Sequence, residues 1–386
     1  MVTMSGWWPA VVLTGIVAAV LCLERQAALA GIFRWLPIPL WCYALPMVAA
    51  SLGWLPRDHP AFQAVMDAVL PFALVLLLLS VELRAVLRIG WRALGITAVG
   101  SASIVVGAPL VVWLLRAGLP DEAWKGAGTL AATWTGGSMN LLAVRAILDT
   151  PQEIFTSLII VDALVAYSWM VLLVGLASLQ TPVNRWLRAT PLALAAVASP
   201  ADRHKQDPRW EWAGCAALAM LLTIGSQQIA SVLPTNNLIS SRRGWAVLLV
   251  TTLALGGSLI RPIRERSRRA PELGYPCLYL VLAAMGAQAS FLALRASPLW
   301  IVVGFGVALV HGLTMLVAGR CLRVPLAVVA TASQANLGGV ASTPIVGAVY
   351  DQRLAPVGLL LAVGLNAVGT YLGLIAASLA RWLAIG

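Results

Sequence analysis

Twelve apolar stretches decide what this chain can fold into. Ten lie near 9–23, 35–54, 64–81, 93–115, 155–179, 212–233, 244–260, 273–294, 299–319 and 355–380. Two more, near 126–148 and 324–349, are interrupted by glycine. A helix needs about 20 apolar residues to cross the hydrocarbon of a bilayer, and most of these stretches reach that length. Charged residues make up 11% of the chain and hydrophobic ones 60%, with a mean hydropathy of +0.88. So little charge does not cover a water-facing surface. The sequence predicts an all-α polytopic membrane protein with the lipid bilayer as its constant partner.

The net charge of +11 invites a nucleic-acid reading. Lys and Arg retained in cytoplasmic loops account for it better, and no nucleic-acid partner is expected. Trp7, Trp8, Trp54, Trp91, Trp245, Trp300 and Trp382 lie at segment ends, where an indole suits the membrane interface. The five cysteines (Cys22, Cys42, Cys215, Cys277, Cys321) form no CxxC pair, so neither a disulfide framework nor a zinc site is expected. The first apolar stretch lacks a charged n-region and reads as a retained helix, although AALA at 27–30 resembles a cleavage site.

The two glycine-rich stretches are copies of one another. Sliding AATWTGGSMNLLAVRAILD (131–149) by 202 positions onto SQANLGGVASTPIVGAVYD (333–351) puts Gly136-Gly137 on Gly338-Gly339 and Asp149 on Asp351. With a small slip, Asp162-Ala-Leu-Val-Ala-Tyr167 falls on Asn366-Ala-Val-Gly-Thr-Tyr371, and LVLLLLSVELRAVLRIGW (74–91) falls on LVLAAMGAQASFLALRAS (280–297). The chain reads as two homologous halves. The first repeat is 1–180, with a hairpin at about 126–148, and the second is 212–386, with a hairpin at about 324–349. A cytoplasmic connecting loop, 181–211, joins them.

If each glycine stretch crosses the membrane, every half has six crossings and the copies are parallel. If each is a re-entrant hairpin, the halves have five crossings and are inverted. Twelve crossings place 16 of the 26 Lys and Arg on one face, whereas two hairpins place 18 there. The positive-inside rule therefore favours inverted repeats with both termini outside.

Backbone inside a bilayer must have its hydrogen bonds satisfied, so a non-helical break survives only against protein or a polar cavity. Gly136, Gly137, Gly338 and Gly339 permit such a break. Freed N–H groups at half-helix N-termini attract anions and freed carbonyls attract cations. Thr133, Thr135, Ser138 and Asn140 in one copy, and Ser333, Gln334, Asn336, Ser342 and Thr343 in the other, add uncharged donors and acceptors, and Pro344 supports the second break. Two polar breaks in register are the best sequence pointer to a transporter's solute site. The competing reading is ordinary small-residue helix packing.

Asp162 lies inside an apolar helix, where an ionisable group costs about 2.5–3.5 kcal/mol and usually faces a functional interior. It is the expected coupling residue, binding Na⁺ or exchanging H⁺. Its counterpart Asn366 keeps the oxygen without the charge. The alternative for Asp162 is a structural hydrogen bond. Glu82 and Arg84 read as a solvated loop pair. Arg145 reads either as a snorkelling end or as a partner for an anionic solute. His311 reads as a proton relay or as a hydrogen bond between helices, and Gln288 with Ser290 forms a similar polar island.

At TWTGGSMN, DALVAYSWM, SQANLGGVASTP and LNAVGTYLG the chain resembles the bacterial and plastid membrane proteins grouped as domain of unknown function 819. Its paired glycine segments are similar, more distantly, to those of glutamate:sodium symporters and 2-hydroxycarboxylate transporters, whose GGxG pairs stand here as GGSM and GGVA. The arginine those families carry after the second hairpin is matched only by Arg353. That likeness implies elevator-type secondary transport rather than a particular substrate.

The expectation is therefore a cation-coupled secondary transporter in a bacterial inner membrane. It carries a small polar organic solute: an amino acid, a short peptide or a carboxylate. Na⁺ or H⁺ is its coupling ion, and it assembles as a homo-oligomer, a dimer. A passive pore is the alternative. An enzyme is not expected, since HExxH, DDxxD and Gly-x-Ser-x-Gly are absent, and the lack of GxxxxGK[ST] argues against ATP as the drive.

Overall fold

The computed structural model describes residues 6–385 apart from 27, 29, 36, 37, 88, 191–207, 236–238, 240 and 290–296. The regular structure of the described residues is helical. The first half of the chain forms α1 (Trp8–Glu24), α2 (Ala30–Trp35), α3 (Ile38–Ser51), α4 (Pro60–Leu79), α5 (Leu83–Leu87), α6 (Trp91–Leu114), α7 (Ala123–Leu148), α8 (Gln152–Leu176) and α9 (Gln180–Leu187). The second half forms α10 (Pro208–Val232), α11 (Arg242–Leu259), α12 (Arg261–Arg266), α13 (Ala270–Gln288), α14 (Ser297–Leu322), α15 (Leu326–Leu337), α16 (Gly339–Tyr350) and α17 (Leu354–Ile385).

Six of these helices are long and apolar enough to cross a membrane: Pro60–Leu79, Trp91–Leu114, Gln152–Leu187, Trp212–Val232, Pro298–Leu322 and Leu354–Ala384. The protein is a polytopic all-α membrane protein. Helix starts follow local chemistry. Pro60 opens α4 with His59 Nδ1 accepting from the Ala61 N–H, and Ser241 Oγ accepts from the Gly244 N–H at the head of α11. Of the connection expected at 181–211, the first residues form α9. Arg203 and Lys205 lie outside the described residues.

The chain divides into two compact units. One comprises Met1–Ser80, Arg145–Ala163 and Asp207–Pro298; the other comprises Val81–Val144, Leu164–Gln206 and Leu299–Gly386. Each unit draws on both halves of the sequence. The first unit gathers α1, α3 and α4 with α10, α11 and α13. The second gathers α6 and most of α7 with α14 to α17.

Within the first unit, α4 and α13 run antiparallel. Gly274, at the head of α13, packs against Leu76 and Leu77 at the end of α4, and Gln288 Nε2, at the end of α13, lies 3.8 Å from Met66 Sδ near the start of α4. Within the second unit, α6 and α14 also run antiparallel. Arg92 Nη2 donates to the Leu322 carbonyl (2.6 Å), Gly107 packs against Val310, and Gly118 packs against Leu299. Each pair joins segments that the same offset of 206 positions superposes in sequence.

Candidate functional site

Both glycine pairs break their helices at the same member. Gly137 has φ 73° and ψ −178°, and Gly339, 202 positions later, has φ 65°. Only glycine adopts such values without steric cost. The residue three places further on then covers the carbonyl of the first glycine: Asn140 Nδ2 donates to the Gly136 carbonyl (2.5 Å), and Ser342 Oγ to that of Gly338 (2.8 Å). Open space adjoins the left-handed glycines. A Cβ at Gly339 would meet nothing within 4 Å, and one at Gly137 would meet only Asn366 Oδ1, at 3.4 Å.

The second break is a hairpin. A Cβ on Gly358 of α17 would lie 2.8 Å from the methyl of Thr331 on α15 and 2.8 Å from that of Thr343 on α16. A continuous helix would hold those two residues about 18 Å apart along its axis, so α15 and α16 fold back on each other at Gly338-Gly339.

Helix α17 then shows where the two breaks meet. Gly347 packs against Leu354 and Thr343 against Gly358, so α16 runs antiparallel to α17. Continuing one residue per residue puts Gly339 level with Ala362. From the other direction, Gly128 lies against Gly373 and Ala377, Ala132 against Gly373, Gly136 against Gly369, and Gly137 beside Asn366. Residues four apart share a helix face, so 354, 358, 362 and 366 form one stripe. The first half of α7 and the start of α16 therefore approach each other along one face of α17, about one turn (~5 Å) apart. Their meeting point, at Ala362–Asn366, lies about a third of the way along the span Leu354–Ala384.

Buried amides anchor this arrangement. Asn140 Nδ2 also donates to the Asn366 carbonyl (3.1 Å), while its Oδ1 accepts from Thr370 Oγ1 (2.6 Å). Asn336 does the same on α6, donating to the Thr97 carbonyl (3.3 Å) and accepting from Ser101 Oγ (2.7 Å). In each case a single amide bridges a carbonyl and the hydroxyl four residues on. Gln334 Nε2 donates to Ser342 Oγ (2.7 Å), and Gln334 Oε1 is buried without a hydrogen-bond partner.

His311 is fully buried. Its Nδ1 lies 3.1 Å from the Gly100 carbonyl and 2.9 Å from Ser103 Oγ, and its Nε2 lies 2.9 Å from Ser333 Oγ, which also accepts from Trp169 Nε1 (2.9 Å). A carbonyl only accepts, so a neutral imidazole protonated at Nδ1 satisfies the whole cluster.

The expected site residues thus separate into several roles. Thr135 Oγ1 donates to the Ala131 carbonyl (2.7 Å) and Thr343 Oγ1 to the Gly339 carbonyl (2.5 Å), so both hydroxyls serve their own helices. Ser333 belongs to the His311 cluster. Thr133 is buried, whereas Ser138, Gly338, Gly339 and Asn366 are half-buried around the meeting point. Asp162 is half-buried on α8, in the stretch that belongs to the first unit. Among the described residues, no group of three His, Cys, Asp or Glu side chains is placed to hold a metal.

Glu82 is exposed before α5, and Ser290 lies outside the described residues. Gln288 Nε2 donates back to the Ala284 carbonyl (3.0 Å). Arg353 is exposed and paired with Asp351 (2.7 Å), whose carboxyl it holds below the usual carboxylate range. Arg145 is held in the first unit by Gln152 Oε1 (2.5 Å), with its guanidinium 4.7 Å from the centre of the Phe155 ring. It lines a cavity of about 270 Å³ together with Asp149, Arg243 and Met285. Ser101, Ser103, Trp169 and Thr370 were not singled out in the sequence; Trp169 and Thr370 fall inside the repeated DALVAYSWM and LNAVGTYLG stretches, and the two serines are small hydroxyls of the kind common in apolar helices.

Comparison with known proteins places these features in a family. The family model described as "Protein of unknown function (DUF819)" matches residues 11–383. The chain is also similar to the "Uncharacterized membrane protein YjcL" of Bacillus subtilis (strain 168), at 26% identity over 348 residues, which cover 85% of this chain and 86% of that protein.

Proposed function

The chain belongs to the DUF819 family, and from that premise we propose that it is a secondary active transporter of a small polar organic solute, working in a bacterial inner membrane. The observation that carries this reading is the meeting of two helix breaks on one face of α17, within a helix long and apolar enough to span a membrane. Transporter sites are built in this way, with discontinuous helices presenting N–H ends to anionic groups and carbonyl ends to cations. The antiparallel pairs α4/α13 and α6/α14 support inverted repeats, and the hairpin at Gly338-Gly339 supports re-entrance. A division of the chain into two bodies is what elevator-type movement requires.

Asp162 is the proposed coupling residue, taking H⁺ or Na⁺. The test is uptake into proteoliposomes under an imposed H⁺ or Na⁺ gradient. Asp162→Asn is expected to abolish gradient-driven accumulation and to leave solute exchange at zero gradient in place. Accumulation that survives intact in the variant would remove Asp162 from the coupling step. Passive, unsaturable flux in the unaltered protein would instead favour a pore.

A further inference from the structure

We propose that the transported solute is a zwitterion of amino-acid size, with its carboxylate at the start of α16 and its ammonium at Gln334. This inference rests on the transporter reading of the same site and narrows its solute to one chemical class. The start of α16 offers the anionic subsite. This twelve-residue helix has Gly338 as its N-cap, with no side chain capping it. Gly339 faces open space, and 338–341 are half-buried or exposed. Its first N–H groups and the positive end of its dipole suit a carboxylate.

Gln334 points to the other half of the ligand. Its side chain is fully buried and lies over the first turn of α16, against Gly338. Ser342 Oγ spends its proton on the Gly338 carbonyl, so it can only accept from Gln334. That fixes Nε2 toward Ser342 and leaves Oε1 as a buried acceptor without a donor. A buried acceptor left unmatched is costly, and a charged donor matches it best. An ammonium satisfies it, whereas a carboxylate-only solute does not. The carbonyl end of the first half of α7, arriving along the same face of α17, adds negative partial charge near the meeting point. The groups named at the meeting point (Gln334, Asn366, Ser342 and the two helix ends) carry no formal charge, which fits a ligand with none overall.

The test uses the full-length protein purified in detergent, with a panel of the common L-amino acids followed by thermal unfolding. For the amino acid giving the largest shift, the matched acid lacking the amino group and the matched amine lacking the carboxylate are titrated. Ligand binding to the folded state raises the unfolding temperature by mass action. The expected result is stabilisation by the amino acid, with each partial analogue at least tenfold weaker. Gln334→Met should weaken the amino acid at least tenfold more than it weakens the deaminated acid. Gln334→Glu, which keeps an acceptor in place, should retain binding of the amino acid.

Equal binding of the deaminated acid, an unchanged affinity in Gln334→Met, or no shift with any amino acid would each overturn the assignment. Counterflow in proteoliposomes separates the two levels. Saturable counterflow of a monocarboxylate, without any of an amino acid, would sink the zwitterion and leave the transporter standing. No saturable counterflow of any solute would sink both.

Discussion

His311 shows how a buried polar residue can be read two ways until its partners are known. In the sequence it is one ionisable side chain in VALVHGLTML, which suits a hydrogen bond between helices more readily than a proton relay. The structure gives it a saturated environment: Gly100, Ser103 and Ser333 around the ring, with Trp169 behind Ser333. A neutral ring that already satisfies each neighbour holds α6, α14 and α15 together. His311→Ala should therefore cost on the order of 2 kcal/mol or more, because several buried groups lose their partner together. His311→Gln should recover part of that loss. Thermal unfolding in detergent checks the stability, and the pH profile of transport should keep its shape in His311→Gln. A profile that flattens in that variant would return His311 to the proton path.

At the scale of the element, the glycine breaks were legible because they occur twice in register, and the structure puts the positive φ on the same glycine of each pair. The stripe on α17 was less legible. Gly358, Ala362, Asn366 and Thr370 recur every four residues, but small residues at that spacing also describe any close helix contact. Only the neighbours show that α16 and α7 share the stripe from opposite ends. The bridging roles of Asn140 and Asn336 were hidden for a related reason, since their acceptors lie 226 and 239 residues away. Close packing and backbone freedom fall on different glycines: Gly128, Gly136, Gly369 and Gly373 pack against neighbouring helices, and Gly137 and Gly339 take the positive φ.

This separation makes a contrast that can be measured. Gly339→Ala has room for the methyl but not the backbone freedom, so it should cost about 1–2 kcal/mol and weaken solute binding. Gly256→Ala, in a helix with open space and no positive φ, should be neutral or slightly stabilising. Thermal unfolding of the two variants side by side checks this. Equal effects would mean that the left-handed conformation at 339 carries no weight.

The whole molecule is less legible than its parts, because hydropathy counts segments without saying which ones gather. The two repeats read at 1–180 and 212–386 are each shared between the compact units, which take the early helices of both halves together and the late helices of both together. The antiparallel run of α4 and α13 carries a direct topological prediction. Asp58 precedes α4 and Arg268 precedes α13, both exposed, so the two positions belong at opposite membrane faces. Single cysteines at 58 and 268, in a background without the five native ones, should differ in labelling by an impermeant thiol reagent applied from outside. Twelve full crossings would put both on the same face.

The uncharged lining of the place where the two breaks meet also has an electrical consequence. Moving one elementary charge across a membrane at 100 mV involves about 2.3 kcal/mol. Amides, hydroxyls and helix ends give voltage no net charge there to act on, and a zwitterion adds none when it binds. In a carrier that turns over with this site, the current per solute molecule therefore counts the coupling ions alone.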